Sequence, residues 1–569
     1  MRKSLIAIAV IAAGAVAYYQ WGHKGGSQAN AELEYVPADT ILFSAQLEPM
    51  DMVAYLKSLG VNLKQSQQAM DDLAKTMGES QDPQSKFLVA LMTQYSQALQ
   101  QPDQLSSKLG VKPQVRSLMY FVGLAPVVKI ELADAAAFAK FLDDAEKTSG
   151  FTHTPQQLNN IKYRQYHLTH EELSADLLIR AEDGWATITL TSSKFAPEHL
   201  AIALGAQKPE QNLANTTYLA DISKKYQLNS AMLGYFSSEQ IAKVVTSKDG
   251  NRFAKDLDAL FGAQMEPSLA AWRTPACATD VAAITRSWPG IFFDAKYVTD
   301  AKGTTMTSRL SVPTENKDTI AALSALRGFI PAAVTANKDG MFQLGLGLDV
   351  GQLSASVGKL WNTYTQTKYS CEPLVQMQQE SAAANPMAAL AMAGMANGVQ
   401  GLSLSLNQFE LDAQTQQPKA LDALVTISAT NARAVVEGLK AMSPEFGAIQ
   451  LPKDGESLDL STMLPPGALP DVKPLLQLNN NHVVISVGDK AKAQADAALK
   501  ETTTKNGLIS MGLDYKAFFG TLLASMPTTD PAQAEQFEML KQMDMKASFK
   551  MDVDDHGLVM HSEVVIGNN

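Results

Sequence analysis

The chain alternates between two patterns of apolar positions. In short runs every second residue is apolar, which predicts one face of a β-strand, and in longer runs apolar residues recur every three or four positions, which predicts one side of a helix. Ile41 to Leu47 shows the first pattern, and Met52 to Leu59, just after Pro49, shows the second. The first predicted unit is therefore a strand, a turn and a helix.

This strand-turn-helix unit recurs at Val128 to Leu142 and again at Val425 to Leu439, with matching residue types 297 positions apart (425 minus 128). The matched pairs are Val128 and Val425, Ile130 and Ile427, Asp134 and Asn431, Phe138 and Val435, and Leu142 and Leu439. Asp134 stands where a helix cap is expected. The turns Asp183-Gly184-Trp185 and Asn480-Asn481-His482, each before a short apolar strand, keep the same spacing.

A third unit, an apolar strand that ends in a polar turn and a short amphipathic helix, is predicted three times, at Ala231 to Val245, Leu344 to Leu360 and Ile509 to Leu523. Hairpins are predicted at Ala295 to Val312 and Ala547 to Ile566, with turns near Asp300 to Gly303 and Asp554 to Gly557.

The repeats predict an α+β fold of two diverged halves, residues 35–275 and 280–569. Each half is expected to be an antiparallel sheet with helices packed on one face.

The sequence Pro37-Ala38-Asp39-Thr40 before a strand, the repeated strand-helix units and the Asp-Gly-like turns together resemble a broad family of uncharacterised exported bacterial envelope proteins, of the domain-of-unknown-function type. The resemblance extends over much of the chain after the N-terminal segment, and its motifs are short. It implies an exported protein with a repeated α+β fold. It supplies no catalytic residues.

The N-terminal residues 1–24 have the features of an export signal. Arg2 and Lys3 precede a run of apolar or small residues from Leu5 to Tyr19, and Trp21 follows. Two outcomes are open: cleavage after Ala15-Val16-Ala17, or retention of Leu5 to Trp21 as an anchor, at the lower limit of length for a bilayer of ~30 Å. Residues 25–34 are expected to form a polar tether. Either outcome predicts a periplasmic body, tethered to the inner membrane or released from it.

The composition and the net charge limit the kinds of partner that the protein is expected to bind. The 569 residues are 46% hydrophobic, enough to bury large cores, and 47 basic against 58 acidic residues give a formal net charge of −11. A negative surface repels phosphate backbones, so nucleic acid is not expected as a partner.

The sequence contains two cysteines, Cys277 and Cys371, and in an oxidising compartment the simplest prediction is one disulfide between them. The alternative is two unpaired, buried thiols.

Residues 377–400, rich in Met, Ala and Gln, interrupt the repeat pattern, and Pro386 precedes an apolar run from Met387 to Met395. Two interpretations of residues 377–400 are open. They form an apolar lid or a partner contact, or they form a core helix or a surface insertion without function.

Asp552, Asp554, His556, Gly557 and Glu563 approach the spacing of a calcium loop, but His556 replaces an oxygen ligand that a hard cation requires. The alternation around these residues instead predicts a β-hairpin with an Asp-rich turn.

Two other motifs have structural explanations. His167, His170, Glu171 and Glu172 contain two imidazoles and two carboxylates, yet positions three apart on a strand face opposite sides, so a polar surface segment is predicted. Gly345, Gly347 and Gly351 lack the lysine or acid of a nucleotide-binding loop, so they predict a strand-to-helix corner.

The sequence therefore favours a non-enzymatic binding or scaffold protein of the cell envelope that holds another envelope protein or an apolar ligand. No catalytic, cofactor-binding or metal-binding residue is assigned, and no cofactor is expected. A hydrolase of envelope material with a spatially assembled site, or a structural or inhibitory protein-interaction module, are the alternatives. A hydrolase would require one of these histidines to meet an acid and a nucleophile in one pocket: His153, His167, His170, His199, His482, His556 or His561.

Overall fold

The computed structural model describes residues 29–59, 82–170, 173–300, 303–337, 339–382, 396–411, 418–442, 449–463, 473–524 and 544–567, with positions 386, 390, 394, 447, 538 and 541. The predicted export segment Leu5 to Trp21 and all of the Met387 to Met395 run except positions 390 and 394 lie outside these residues. The fold is α+β, with large-scale antiparallel strand pairing and seventeen helices in the described part of the chain.

Contacts divide the chain into two compact units. The first comprises Met1–Leu310, Tyr369–Val375 and Asn568–Asn569, and the second comprises Ser311–Lys368 and Gln376–Gly567. The division falls later than the predicted boundary at residues 275–280. The helix Pro275–Ser287 and the strand Gly290–Asp300 stay with the first unit because that strand pairs with Met232–Ser237.

The first unit contains ten helices and ten strands among its described residues, and the last strand crosses the division. They are α1 Ala29–Leu33, β1 Leu42–Asp51, α2 Met52–Leu59, α3 Pro83–Leu99, α4 Leu105–Leu109, β2 Gln114–Val122, β3 Ala125–Glu131, α5 Ala135–Ser149, β4 Thr154–Leu158, β5 Ile161–His170, β6 Leu173–Glu182, β7 Trp185–Thr191, α6 Pro197–Ala203, α7 Tyr218–Tyr226, β8 Met232–Ser237, α8 Ser238–Thr246, α9 Arg252–Leu269, α10 Pro275–Ser287, β9 Gly290–Asp300 and β10 Gly303–Pro313.

The remaining elements belong to the second unit, apart from the first four residues of α14. They are α11 Lys317–Leu326, α12 Ala332–Thr335, β11 Phe342–Leu346, α13 Val350–Gln366, α14 Glu372–Ala382, β12 Val399–Leu411, β13 Pro418–Ala429, α15 Ala432–Met442, β14 Ser457–Asp459, β15 Leu475–Leu478, β16 His482–Val487, α16 Asp489–Ala498, β17 Ile509–Asp514, α17 Tyr515–Ala524, β18 Met545–Asp554 and β19 Gly557–Gly567.

The sheet of the first unit has the strand order β4-β5-β6-β7-β3-β2-β1-β8-β9-β10. That of the second unit has the order β14-β15-β16-β13-β12-β11-β17-β18-β19. The registers given for these pairs are all antiparallel, as the sequence predicted.

Several local predictions are confirmed. The Asp134 carboxylate accepts hydrogen bonds from the backbone N–H groups of Ala136 and Ala137 and so caps α5. The third recurring unit forms β8 with α8, β11 with α13, and β17 with α17. Asp554 pairs with Gly557 across the turn of the C-terminal hairpin, and its carboxylate accepts the backbone N–H groups of His556 and Gly557.

In each unit helices pack against both faces of the sheet, whereas the sequence predicted helices on one face only. In the first unit, Ile202 of α6 packs in one core with Val127, and Phe138 of α5 packs in another with Ala186. Adjacent residues such as Val127 and Val128 are both apolar and point to opposite faces, so each face needs its own cover. A strict one-sided alternation does not hold along β3.

Folded structure is present before the predicted start at residue 35. Within the predicted tether, residues 29–33 form α1, and Leu33 is buried with Val36 in the first core. The Glu32 carboxylate pairs with the ammonium of Lys129, and the Tyr35 ring lies 4.4 Å from that ammonium. These contacts make residues 29–34 part of the first unit.

The predicted cysteine pair is present in the first unit. The sulfur atoms of Cys277 and Cys371 lie at disulfide distance, with Cα atoms 4.4 Å apart, and both residues are fully buried. Thr274 caps α10 by accepting the backbone N–H of Cys277, which fixes the position of this cysteine at the start of the helix.

Candidate binding face

One face of the sheet in the second unit has large apolar side chains that are not fully covered. Across an antiparallel sheet, directly paired residues point to the same side. Leu346 pairs with Leu402 on β12 and with Ile509 on β17, and Leu344 pairs with Leu404 and Met511. We call this side of the sheet the open face.

The open face consists of two parallel rows that cross six strands. The first row is Val483, Ile427, Leu402, Leu346, Ile509 and Met551. The second row is Ile485, Val425, Leu404, Leu344, Met511 and Phe549. All twelve positions are apolar, so the two rows form a continuous apolar surface.

Four residues of these rows are exposed: three lie on the neighbouring strands β12, β11 and β17, and Ile485 lies on β16 at the end of the second row. The exposed fractions are 47% for Leu402, 41% for Leu346, 37% for Met511 and 36% for Ile485. Contiguous apolar side chains at such exposure are uncommon on a protein surface and mark sites that bind a partner, a ligand or a membrane. Methionine adds a flexible side chain that adapts to irregular apolar surfaces.

Two helices border the open face. The Phe518 ring of α17 lies 5.9 Å from the Phe342 ring, in the row next to Leu344. Val435 and Val436 of α15 pack against the cluster that contains Val483 and Leu478, at the other side. The exposed residues therefore lie on the sheet between the parts covered by these two helices.

The opposite face of the same sheet is closed, and several of its residues on β11 and β12 are small or polar. Gln343, Ser403 and Ser405 are nearly fully buried there. Ala491 and Ala495 of α16 pack against Leu424 and Val484 in one cluster. Small side chains let the helix approach the strands closely, which accounts for the position of serine beneath the helix and leucine outside it.

In the first unit, a row of strand residues that crosses the sheet lies beneath helices. The row is Ala186, Ile130, Ser117, Gln46, Met232 and Ala295. Phe87 and Ala90 of α3 pack in the cluster that contains Ala186. Ala98 and Leu99, at the other end of α3, pack in the cluster that contains Met232 and Ala295. Helix α3 thus runs along the row, and Ser117 and Gln46 are 6% and 3% exposed.

The histidines proposed as parts of an assembled site have separate positions. His199 and Asp256 form a buried pair in the first unit, with Nδ1 2.7 Å from Oδ1, and each is 1% exposed. His482 accepts a hydrogen bond from the Ser428 hydroxyl at Nδ1, because its Nε2 donates to the Glu501 carbonyl. The second nitrogen of His482 therefore meets a backbone carbonyl and not a carboxylate.

His153 belongs to a network around Glu146. The Glu146 carboxylate lies 2.7 Å from His153 Nδ1, accepts the Tyr166 hydroxyl at 2.7 Å and pairs with Arg164 at 3.0 Å. Burial raises the pKa of Tyr166, and the bond to Glu146 raises it further, so the phenol remains a hydrogen-bond donor. Tyr166 stacks on Phe87, so this network supports α3.

The remaining histidine candidates lie on or beside strands. His167 is exposed on β5 and pairs with Asp176, while His170 ends that strand and Glu171 and Glu172 fall outside the described residues. His556 is in the C-terminal turn and His561 is on β19. Strands β18 and β19 pair around this turn as the predicted hairpin, and Asp552 pairs with Arg327 through two bonds of 2.6 and 2.7 Å.

Gly345 and Gly347 lie at the corner where β11 leads into α13, as the sequence predicted. A side chain at Gly347 would come within 2.3 Å of the Gly507 carbonyl oxygen, so the close approach of two backbones requires glycine. Within the described residues, no group of three or more His, Cys, Asp or Glu side chains is placed to hold a metal ion.

A shallow, open depression lies along one side of α13. Ser354, Gly358, Asn362 and Gln366 are among its lining residues. This lining is mostly neutral and polar, so it differs in chemistry from the open face.

A buried charge cluster in the first unit connects strands β2 and β3. Glu131 accepts a 2.5 Å bond from the Arg116 guanidinium and a 3.1 Å bond from the Lys112 ammonium. Burial acts to raise the pKa of Glu131, but the hydrogen bonds from Arg116 and Lys112 outweigh it and lower that pKa. The carboxylate is therefore held in its ionised form as a structural partner.

The open face was not identified from sequence, although a signal existed. Strand β12 alternates strictly, with Leu402, Leu404 and Leu406 between Gly401, Ser403 and Ser405. Such alternation predicts a strand with leucines buried and serines exposed. The structure has the reverse arrangement for Leu402 and Ser403, because helices cover the small residues.

Comparison with family models, curated protein sequences and solved structures gave no match for this chain. Among the helices of the described residues, none combines the length and the apolar character needed to cross a bilayer.

Proposed function

We propose that this protein is a non-enzymatic binding or scaffold protein of the cell envelope, and that the open face of the second unit holds an apolar partner. The observation that carries the proposal is the exposure of Leu346, Leu402 and Met511 on three neighbouring strands of one sheet. At about 25 cal/mol per Å² of apolar surface removed from water, covering such a patch gives a substantial favourable contribution to binding.

The proposal includes an origin of the two units as diverged copies of one unit. The strand orders correspond one to one from β5-β6-β7-β3-β2-β1-β8-β9-β10 to β14-β15-β16-β13-β12-β11-β17-β18-β19. The 297-residue spacing also supports a common origin of the two units, because it holds for residues that pair across neighbouring strands. Val128 pairs with Ile188, and Val425 pairs with Ile485, so both partners of one pair are shifted by the same 297 positions.

Equivalent hydrogen bonds support the duplication further. The backbone N–H of Leu132 donates to the Gly184 carbonyl, and that of Ala429 donates to the Asn481 carbonyl, again 297 positions on. Ser237 caps α8 by accepting the N–H of Gln240, and Asp514 caps α17 by accepting the N–H of Ala517. The helix caps and the strand pairings give the same alignment of the two units.

An envelope location follows from the sequence and is part of the proposal. The apolar run Leu5 to Trp21 after Arg2 and Lys3 is typical of an export segment. The only two cysteines of the chain lie at disulfide distance, and a pair of this kind is stable in an oxidising compartment.

The open face is tested with an apolar fluorescent dye, 1-anilinonaphthalene-8-sulfonate, added to the native full chain. We expect Leu402→Asp to weaken dye binding about ten-fold, equivalent to roughly 1.4 kcal/mol, because a carboxylate interrupts the centre of the rows. Met377→Asp is the matched control, since Met377 is 49% exposed on α14, outside the two rows. Equal dye binding by both variants and the parent protein would contradict the proposal.

The location is tested by cell fractionation, intact mass and non-reducing gel mobility of the native protein. An unprocessed membrane-bound chain with the Cys277 to Cys371 bridge supports the tethered form. A soluble periplasmic chain that begins after Ala17 supports the released form. A reduced cytoplasmic chain would contradict both.

A further inference from the structure

The chain contains two Asn-Gly pairs, Asn397-Gly398 and Asn506-Gly507. An asparagine before a glycine can lose ammonia, because the backbone nitrogen of the glycine can attack the side-chain carbon Cγ of the asparagine. Glycine has no Cβ atom, so it leaves this approach open. The two pairs have the same chemistry, and the structure gives them different surroundings.

Asn397 is exposed in the turn that leads into β12. Its side chain makes no hydrogen bond to the described residues, and the backbone N–H of Gly398 donates none to them. Gly398 has a φ of +92°, a conformation that glycine adopts without strain. The Asn397 amide and the Gly398 nitrogen are therefore free to approach each other.

Asn506 is held by its side chain and by its backbone. Its Oδ1 accepts the backbone N–H of Ile330 at 2.8 Å, and its Nδ2 donates to the Ile330 carbonyl at 2.8 Å. The backbone N–H of Asn506 donates to the Gly328 carbonyl at 2.9 Å, and the Gly507 carbonyl accepts the Gly328 N–H at 3.2 Å. The Asn506 amide is thus fixed on Ile330, and both residues of the pair are held against Gly328.

This difference decides which asparagine reacts in the folded chain. Attack by the Gly507 nitrogen would require the Asn506 side chain to turn away from Ile330, so two hydrogen bonds would break first. The combined loss of two such bonds slows the reaction about ten-fold or more. Asn397 has no hydrogen bond of this kind to break.

We propose that Asn397 is a modification site at which the folded chain deamidates spontaneously, and that the fold protects Asn506. The Gly398 nitrogen gives up its proton and forms a bond to Cγ of Asn397, while the Cγ–Nδ2 bond breaks and the nitrogen leaves as ammonia with that proton. Water then opens the resulting succinimide ring at either carbonyl, which gives aspartate or isoaspartate. Water is the only other reactant.

The products alter the entry to β12. Aspartate adds a negative charge at an exposed position, and isoaspartate adds a methylene carbon to the backbone between Asn397 and Gly398. The Gly398 carbonyl accepts the Thr430 N–H at 2.8 Å, so the change occurs where β12 is attached to the chain that follows β13. The inference is independent of the proposed function, because it requires only the exposure of Asn397 and the hydrogen bonds of Asn506.

The test is peptide mapping by mass spectrometry of the native full chain, sampled during incubation in a mildly alkaline buffer that favours loss of the amide proton. We expect deamidation at Asn397 to be at least about ten-fold faster than at Asn506. In the chain unfolded by urea with its disulfide reduced, both asparagines are expected to react at similar rates, because only the local sequence then acts. Equal rates in the folded chain, or a faster reaction at Asn506, would overturn the inference.

Asn397→Gln supplies the variant, since a glutamine side chain would have to form a larger ring. This variant should not accumulate the acidic form that isoelectric focusing resolves in the parent chain. Asn362→Gln is the matched control, because Asn362 is also exposed but precedes Thr363, and it should leave the acidic form unchanged. If the acidic form accumulates equally in Asn397→Gln and in the parent, the reactive asparagine lies elsewhere and the inference is wrong.

Discussion

The two units use one strand order and differ in what covers the same face of the sheet. In the first unit, α3 and α5 cover it, and two hydrophobic clusters of twelve and ten buried residues lie beneath. Among the described residues of the second unit, the cluster on this face that contains Val483 holds five buried residues, and Leu402 and Leu346 of the open face are exposed. The difference shows that one strand order can carry either a filled core or a partly exposed apolar face.

The two units also differ in the size of the residues at the two central positions of the row. Ser117 and Gln46 leave room for a helix above the first sheet, while Leu402 and Leu346 protrude from the second. In the first unit, the apolar side chains of the helix are buried in the folded chain itself and stabilise it without a partner. Exposed leucines contribute only when a partner covers them.

The largest expected effect is a loss of stability when a large side chain is removed from the core of the first unit. Phe87→Ala removes a fully buried ring that stacks on Tyr166 at 4.7 Å between ring centres. We expect a loss of about 3 to 5 kcal/mol in the free energy of unfolding, measured by chemical denaturation. Leu402→Ala provides the comparison, and an equal loss in both variants would contradict the distinction between a filled and an open face.

The next effect concerns the cysteine pair, which belongs to the first unit. Replacement of both Cys277 and Cys371 by alanine is expected to lower stability by about 2 to 5 kcal/mol, because the bridge restricts the unfolded chain. Hydrogen exchange should become faster in the first unit, with strands β17 to β19 little affected. If a reductant leaves the thermal unfolding of the parent chain unchanged, this expectation is wrong.

A smaller, pH-dependent effect is expected at Asp294 on β9. Burial raises the pKa of Asp294 to about 6, against the opposing effect of a backbone hydrogen bond from Asn229. A raised folded-state pKa means that the ionised form destabilises the fold. The penalty is absent below the unfolded pKa near 4, grows as pH rises through about 6, and is complete above that.

The substitution Asp294→Asn is therefore expected to stabilise the first unit at pH 8 by about 1 to 2 kcal/mol, after allowance for solvent screening of a half-buried group. The gain should disappear at pH 4, where the parent side chain is neutral. Thermal unfolding at the two pH values measures this difference. A gain that is equal at both would show that the ionisation of Asp294 is not its cause.

The smallest effect is expected on the open face. Leu402→Ser should change the free energy of unfolding by only about 0.5 kcal/mol or less, because the side chain is nearly half exposed in the folded chain. Dye binding should fall in the same variant. A large loss of stability would mean that Leu402 belongs to a filled core, and the contrast between the units would then fail.

Sequence patterns predicted the local elements well where the chemistry is local. Asp134 caps α5, and Asp554 stabilises the turn of the C-terminal hairpin. In both cases the carboxylate accepts backbone N–H groups close in sequence, so the interaction does not depend on distant residues. The pairing of the two cysteines was predicted from their number and from the compartment that the N-terminal segment predicts. The start of the fold was placed too late because burial of Leu33 depends on the core formed by distant strands.

By itself, the sequence determined the alternation of strands and helices, the 297-residue spacing and the cysteine pair, since each depends on residue type and separation along the chain. Only the tertiary structure decided which side of each strand is covered. The alternating Leu402, Ser403 and Leu404 would fit either orientation, and the packing of helices placed the serine inside. Period-two alternation separates the two faces of a strand, but the choice of the buried face belongs to the elements that pack against it.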